Sequence, residues 1–168
     1  ISRRQRQMCI RDRLESDLGI AMADVTTDAF LGQGLFEQAL PLRVLFTAYP
    51  NIVHILTLEE NGVSRVADLA GKRVALGAQG SGTAVAATNV LKGLGVALDQ
   101  IAPRYLNFAA TTAALKDGTI DAGFIVGGLG IAAVTELAVT RSLRLINLTE
   151  DELQTLVQQF PAYSSYST

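Results

Sequence analysis

The chain of 168 residues has little of the side-chain chemistry on which catalytic and metal sites depend. It contains one cysteine, Cys9, one histidine, His54, and no tryptophan. A single cysteine excludes a disulfide framework and a cysteine-based metal site. His54 stands alone inside the apolar run 52–58, so we interpret it as a hydrogen-bonded strand residue. Because paired catalytic carboxylates are also absent, we predict that the protein is not an enzyme and uses no cofactor or metal.

No apolar run in the sequence is long enough to cross a bilayer. Charge is uneven, because residues 1–13 hold five arginines and one aspartate; without them nine basic and fifteen acidic residues remain, a net charge of −6. An acidic body argues against nucleic acid as a partner. The leader 1–13 lacks the apolar core of a secretory signal and resembles translated adapter sequence. We expect it to be non-native; a basic arm that binds nucleic acid is the alternative.

The rest of the sequence alternates short apolar runs with segments of helical periodicity. This alternation predicts an α/β fold with a parallel-rich sheet flanked by helices. The predicted strands are 18–22, 42–46, 52–58, 74–76, 104–108, 120–126 and 143–148. The predicted helices are 25–31, 64–69, 84–94, 109–117, 131–139 and 153–160, with Ser64 capping the second and Thr149 opening the last in a capping box.

The most informative stretch is the segment 77–83, which we call the Gly77–Thr83 loop. It follows the predicted strand 74–76 and contains Gly77, Gly80 and Gly82, then Thr83, where a helix should begin. A glycine-rich turn that opens a helix presents free N–H groups to an anion. The alternative is an ordinary strand-to-helix turn with Ser81 or Thr83 as its N-cap.

The loop matches no nucleotide or acyl-transfer motif. It lacks the lysine of a P-loop, and its glycines have the reverse of the dinucleotide spacing. Ser81 lacks the flanking glycines of a nucleophile elbow. The chemistry that remains is capture of a carboxylate or other small anion.

Other candidate residues follow other predicted strands. Gly127 and Gly128 come after strand 120–126 and would either offer backbone groups to a ligand at the carboxyl end of the sheet or merely permit its close approach. Tyr49, before Pro50, is either an aromatic wall of a cleft or an ordinary turn tyrosine. Asp24, after strand 18–22, would either meet a ligand amine or cap the next helix.

Several segments in order resemble the solute-binding receptors of TRAP transporters, specifically the TAXI family. The resemblance covers about residues 14–163. The segments that carry it are Asp68-Leu69-Ala70-Gly71-Lys72-Arg73-Val74, Gly80-Ser81-Gly82-Thr83, 114–122, 124–129, 133–138, 24–30 and Tyr49-Pro50.

The resemblance implies a fold like that of type II periplasmic binding proteins, with two α/β lobes and the ligand between them. Residues 14–56 would be part of lobe one with crossing strands, 57–148 a nearly complete lobe two, and 149–168 a helix and the start of the return, so the chain would be a fragment. Asp24, Tyr49, Gln79, Gly80, Ser81, Gly82, Thr83, Gly127 and Gly128 would be the ligand-binding residues.

The implied function is capture, by lobe closure, of a small organic acid or an amino acid such as glutamate. The implied location is periplasmic, and the implied partners are TRAP permease subunits. The first alternative is the binding protein of an ABC importer. The second is a nucleotide-dependent enzyme on a Rossmann-like scaffold.

Overall fold

The computed structural model describes residues 18–34 and 36–166, so the leader 1–13 lies outside the described residues. The chain divides into two compact units, residues 1–42 and 43–168. The sequence places a lobe boundary near Leu56 instead, and the assignment of lobes stays a prediction. Within the described ranges, no helix has the length and apolar character needed to cross a membrane.

Among the described residues, the first unit contains one helix, α1, Ala23–Leu31, which agrees with the predicted helix 25–31. It ends at Gly32, whose φ of 67° is left-handed. The predicted strands 18–22 and 42–46 are wrong, because neither segment belongs to the sheet. An apolar run becomes a strand only where a neighbouring strand pairs with it. Val44, Leu45 and Phe46 are instead extended and more than 70% exposed.

The second unit is built on a five-stranded sheet in the order β3-β2-β4-β1-β5. Strands β2, β3, β4 and β5 run in one direction, and β1 runs antiparallel to both of its neighbours. The predicted α/β class is therefore confirmed, with a mixed sheet in which two of the four strand pairings are parallel. The strands are β1 Ile52–Leu58, β2 Arg73–Ala75, β3 Ala102–Arg104, β4 Ala122–Gly127 and β5 Leu143–Leu145.

Four helices alternate with these strands, as the sequence predicts. They are α2 Gly82–Gly93, α3 Phe108–Lys116, α4 Ala132–Thr140 and α5 Glu150–Gln159. Each of α2, α3 and α5 begins at a side-chain cap, from Ser81, Asn107 and Thr149. The predicted capping box at Thr149 is confirmed, since Glu152 Oε2 accepts from the Thr149 N–H at 2.8 Å.

Two local predictions are wrong. The predicted helix 64–69 is a 3₁₀ turn, Val66–Leu69, and the Asp68 carboxylate accepts the N–H groups of Ser64 and Arg65, so Ser64 is not the cap. The predicted strand 104–108 lies earlier, at Ala102–Arg104. Asn107 Oδ1 accepts from the Ala110 N–H at 2.9 Å, which starts α3 and ends the extended stretch.

The core has two layers, one on each face of the sheet. Side chains alternate between them with the period of a strand, so Ile55 and Leu56, or Phe124 and Ile125, face opposite sides. One layer includes α2 and α5, through Leu91 and Leu156 among others. The other includes α3 and α4, through Leu115 and Leu137, and Ile120 from the connection between α3 and β4.

An ion pair joins two parallel strands where they begin. Arg73 Nη2 lies 2.7 Å from Asp121 Oδ1, and Arg73 Nε and its backbone N–H donate to Oδ2 at 3.0 and 2.8 Å. Thr57 Oγ1 and Asn61 Nδ2 both donate to the Asp121 carbonyl at 2.8 Å. The hydrogen bonds from Arg73, opposed by partial burial, hold the pKa of Asp121 below its ordinary value.

This pair predicts a pH-dependent loss of stability. Because the folded-state pKa of Asp121 is lowered, its contribution is complete above the ordinary aspartate pKa of 3.8 and disappears as the pH falls through the lower folded value. Asp121→Asn should therefore lower the free energy of unfolding by roughly 1 kcal/mol at pH 7, with the difference shrinking below pH 4. Urea unfolding followed by circular dichroism measures both.

Asp99→Asn is the matched control, because Asp99 is exposed and makes no side-chain hydrogen bond or ion pair within the described residues. It should change stability little at either pH. An Asp121→Asn deficit that stayed constant down to pH 3 would contradict the role of the ionised carboxylate.

Candidate functional site

The candidate site residues of the second unit gather at one edge of the sheet, which we call the carboxyl edge. Strands β2, β3, β4 and β5 end there, and β1 begins there, with Ile52 opposite Gly127. Helices α2, α3, α4 and α5 all begin beyond this edge, because each follows one of those four strands. Their N-terminal ends therefore direct free N–H groups and positive partial charge towards the same side of the unit.

The Gly77–Thr83 loop joins β2 to α2 at this edge. Gly77 has a φ of 91° and Gly80 a φ of 84°, values that side chains rarely adopt. A Cβ added at Gly77 would lie 2.6 Å from Thr83 Cγ2 and 2.7 Å from Thr83 Cβ. Thr83 therefore packs directly on the Gly77 backbone, and this contact folds the loop back over the end of β2.

Ser81 caps α2, and its hydroxyl is already committed to the loop. Ser81 Oγ donates to the Ala78 carbonyl at 2.7 Å and accepts from the Ala84 N–H at 3.2 Å. For Ser81, the interpretation as an N-cap is therefore correct. Its hydroxyl hydrogen is bonded within the loop and is not available to a ligand. Ser81 supports the site geometry through these two bonds.

The groups left free are those of Gly82 and Thr83. The first N–H groups of a helix have no intrahelical acceptor, and nothing in the described part of the chain accepts from these two. Thr83 is only 6% exposed, yet its hydroxyl makes no hydrogen bond to a described residue. Its Oγ1 is also not among the enclosed, unpaired polar atoms, so it retains contact with solvent. Two N–H groups and one hydroxyl at the start of α2 thus have no partner among the described residues.

The other predicted residues of this unit stand around that opening. Gly127 ends β4, which is the direct neighbour of β2, and Gly128 follows it partly exposed. Gln79 is exposed within the loop itself. Tyr49 lies in an extended segment three residues before β1 and is 61% exposed. The topology thus brings Gln79, the free groups of Gly82 and Thr83, and the Gly127–Gly128 turn to neighbouring strand ends.

Asp24 lies in the first unit. It stands in the first turn of α1 with Met22 at the cap position, so the predicted capping role is wrong. Asp24 is 8% exposed, and its Oδ1 accepts from the Val25 N–H at 2.8 Å. Its role towards a ligand amine stays a prediction.

Sequence reasoning misjudged His54 and missed Arg104. His54 lies in β1 as expected, but its Nε2 is buried with no hydrogen-bond partner in the described residues, because its position opposite Ile125 puts the ring on an apolar face. Arg104 ends β3, and its carbonyl accepts from the Leu76 N–H at 2.9 Å, just before the Gly77–Thr83 loop. No sequence signal marked it, because the predicted strand 104–108 begins at Arg104, and only the strand order shows that β3 lies beside β2.

No three His, Cys, Asp or Glu side chains come together as metal ligands within the described ranges. A surface cavity of about 380 Å³ lies along α5, lined by Glu150, Gln154, Gln158, Tyr163 and Ser164 among others. It contains none of the predicted site residues. The candidate site is therefore the open end of the Gly77–Thr83 loop, which is a surface feature of this unit.

Comparison with known proteins assigns the chain to a sequence family. A sequence profile described as the NMT1-like family matches residues 10–167. The chain belongs to the NMT1-like family. Since the match spans nearly the whole chain, both the described units and the Gly77–Thr83 loop fall within it.

The chain also resembles solved structures of substrate-binding proteins. The aliphatic sulphonate binding protein SsuA from Escherichia coli is 27% identical, with a TM-score of 0.49 over 56% of this chain and 31% of that chain. SsuA from Xanthomonas axonopodis pv. citri, bound to MOPS, is 32% identical, with a TM-score of 0.48 over the same shares. A polar amino acid ABC uptake transporter binding protein from Streptococcus thermophilus is 22% identical, with a TM-score of 0.43 over 57% of this chain and 36% of that chain. The chain thus spans about a third of the length of the structures that it matches.

The contact between Gly77 and Thr83 generates a stability prediction. Gly77→Ala adds a left-handed penalty and a Cβ within 2.6 Å of Thr83, so it should cost roughly 2–4 kcal/mol of unfolding free energy. Gly95→Ala is the matched control, because Gly95 has a φ of 78° but open space around its Cβ. It should cost only about 1 kcal/mol. Equal losses for the two variants in chemical denaturation would show that the close contact contributes nothing.

Proposed function

We propose that this chain is the anion-binding part of a solute-binding protein that captures a small organic acid or an amino acid. The observation that carries the proposal is that the Gly82 and Thr83 N–H groups and the Thr83 hydroxyl, all at one helix start, have no partner among the described residues. A carboxylate there would accept two or three hydrogen bonds from groups that nothing in the described chain uses. Hydrogen bonds to a charged acceptor contribute more than neutral ones.

A binding role explains the loop better than a catalytic one. The rigid contact between Gly77 and Thr83 holds the donors in place before a ligand arrives, which lowers the ordering cost of binding. Besides Thr83, only Ser81 has a hydroxyl in the loop that could act as a nucleophile. That hydroxyl is hydrogen-bonded to the Ala78 carbonyl and the Ala84 N–H. No histidine, cysteine or carboxylate lies within the loop to act as a base. The nucleotide-dependent enzyme is therefore not favoured.

In the whole protein, we propose that a second lobe closes on a ligand held at the carboxyl edge. Closure would be driven by contacts that the ligand makes only when both lobes touch it. Tyr49, Gln79, Gly127 and Gly128 would contribute from this unit. Such receptors act outside the cytoplasmic membrane, so we propose a periplasmic location and membrane permease subunits as partners.

The type of permease has two candidates. The resemblance of segments such as Gly80-Ser81-Gly82-Thr83 to the TAXI family supports a TRAP permease. The Streptococcus thermophilus structure is named as part of an ABC system, and that name fits the ABC alternative better. Both candidates share the same binding chemistry at the Gly77–Thr83 loop.

Replacing one hydroxyl tests the proposal. Thr83→Val keeps the shape of the side chain against Gly77 but removes the only free hydroxyl of the loop. A hydrogen bond to a charged group contributes about 1.5–3 kcal/mol, so affinity for a bound carboxylate should fall roughly tenfold or more. NMR titration of the ¹⁵N-labelled chain with acetate, glutamate and other small acids, read at the Gly82 and Thr83 amides, gives the dissociation constants.

Thr88→Val is the control, because Thr88 lies on the same helix and its hydroxyl donates to the Ala84 carbonyl at 2.7 Å. It should leave the affinity unchanged, and Thr83→Ser should retain most of it. If no small carboxylate or sulfonate shifted the Gly82 and Thr83 resonances, the proposed function would be wrong.

A further inference from the structure

We infer that the ligand held at the Gly77–Thr83 loop is an amphiphilic anion: a carboxylate or sulfonate joined to an apolar body that carries no ammonium beside the acid group. This inference rests on the proposed function and names the ligand class for the same site. It combines two observations, the placement of acidic side chains around the sheet and the exposed apolar side chains at the carboxyl edge.

The acidic side chains of the second unit avoid the strand ends around the loop. Residues 69–98, 100–116 and 122–135, which contain the turns after β2, β3 and β4, have no aspartate or glutamate. Neither do residues 43–58, which lead into and form β1. Most carboxylates of the unit stand at the opposite edge of the sheet or next to it. These are Glu59, Glu60, Asp68, Asp99, Asp117 and Asp121.

Two groups of acids remain, and neither adjoins the loop. Glu136 lies in α4, more than one turn beyond its start. Glu150, Asp151 and Glu152 open α5 after β5, and Glu152 is occupied in capping the Thr149 N–H. Three strand spacings of about 4.8 Å, or roughly 14 Å, separate β5 from β2. The ammonium of an α-amino acid lies within a few ångströms of its carboxylate, so this unit offers it no carboxylate partner. The positive partial charge of the helix N-termini at this edge also disfavours a nearby ammonium.

What surrounds the loop instead is apolar. Tyr105 follows β3 and is 50% exposed, Leu129 follows β4 and is 62% exposed, and Tyr49 precedes β1. These three strands all reach the carboxyl edge, and β3 and β4 flank β2 on either side. Large exposed apolar side chains on both sides of an anion-binding turn are suited to the body of a ligand whose head the turn holds.

The charge at the edge fits the same ligand. Arg104 is exposed at the end of β3, with its backbone beside Leu76, and its Nη1 donates only to the Pro103 carbonyl at 3.1 Å. A guanidinium beside a helix N-terminus favours anions and disfavours cations. The edge around the loop is thus positive and apolar, a combination that selects against zwitterions.

Three ligands that share an isobutyl group test the inference on this chain. 4-Methylpentanoate has the carboxylate and the isobutyl group, L-leucine adds the ammonium, and 3-methylbutylamine has the ammonium without the carboxylate. Because leucine would place an unpaired ammonium at the edge, 4-methylpentanoate should bind at least about tenfold more tightly. 3-Methylbutylamine should not bind. Acetate, which lacks the apolar body, should bind several-fold more weakly than 4-methylpentanoate. Dissociation constants come from NMR titration at the Gly82 and Thr83 amides.

Two variants test the apolar contact. Leu129→Ser should weaken binding of 4-methylpentanoate about three- to tenfold. Val139→Ser is the control, because Val139 is 82% exposed near the far end of α4, and it should change nothing. Both positions are exposed, and the NMR spectrum of each variant reports directly whether it is folded.

The outcomes separate the inference from the proposed function. If none of the acids shifts the Gly82 and Thr83 amides, the proposed function fails and the inference fails with it. If leucine binds as tightly as 4-methylpentanoate, or 3-methylbutylamine binds at the same amides, the inference is overturned while anion capture stands. If Leu129→Ser leaves the affinity for 4-methylpentanoate unchanged, or acetate binds equally well, the inference that the ligand has an apolar body is wrong. The expected order with a Leu129→Ser loss supports the inference.

Discussion

The close contact of Thr83 with the Gly77 backbone is the constraint on which the candidate site depends. Because no Cβ fits at Gly77, the loop folds back on the end of β2 and starts α2 at a fixed place. Ser81 completes this geometry by bonding to Ala78 and Ala84. The donors of Gly82 and Thr83 are then held open without a partner. In this arrangement the threonine methyl supports the loop, and its hydroxyl is free for a ligand.

The sheet has a chemical polarity between its two edges. At the opposite edge, where β2 and β4 begin, charged side chains form ion pairs with one another. The bidentate pair of Arg73 and Asp121 joins β2 to β4 there. At the carboxyl edge, helix starts, glycine-rich turns and exposed apolar side chains meet. Stabilising charges and the ligand-binding groups are thus separated by the length of the strands. A binding edge free of internal ion pairs keeps its donors available for a ligand.

Local signals predicted those parts that local chemistry decides. The glycines and Ser81 predicted the loop and the start of α2, Thr149 and Glu152 predicted α5, and apolar runs predicted β1, β2 and β4. The predictions failed where the structure of a segment depends on a partner far away in the sequence. Residues 18–22 and 42–46 have strand-like composition but do not join the sheet, and composition alone does not reveal whether a pairing partner is present. His54 has an unpaired Nε2 for a similar reason, since the register opposite Ile125 fixes its face.

The α/β alternation, the glycine-rich turn and the helix caps follow from the sequence alone, because each depends on residues close together in the chain. Only the tertiary structure decided which hydroxyl of the loop is free. That choice depends on Ala78 and Ala84 taking both bonds of Ser81 while Thr83 packs on Gly77. The tertiary structure also decided that Arg104, Tyr105 and Leu129 stand beside the loop, because the order β3-β2-β4 places strands together that are far apart in sequence.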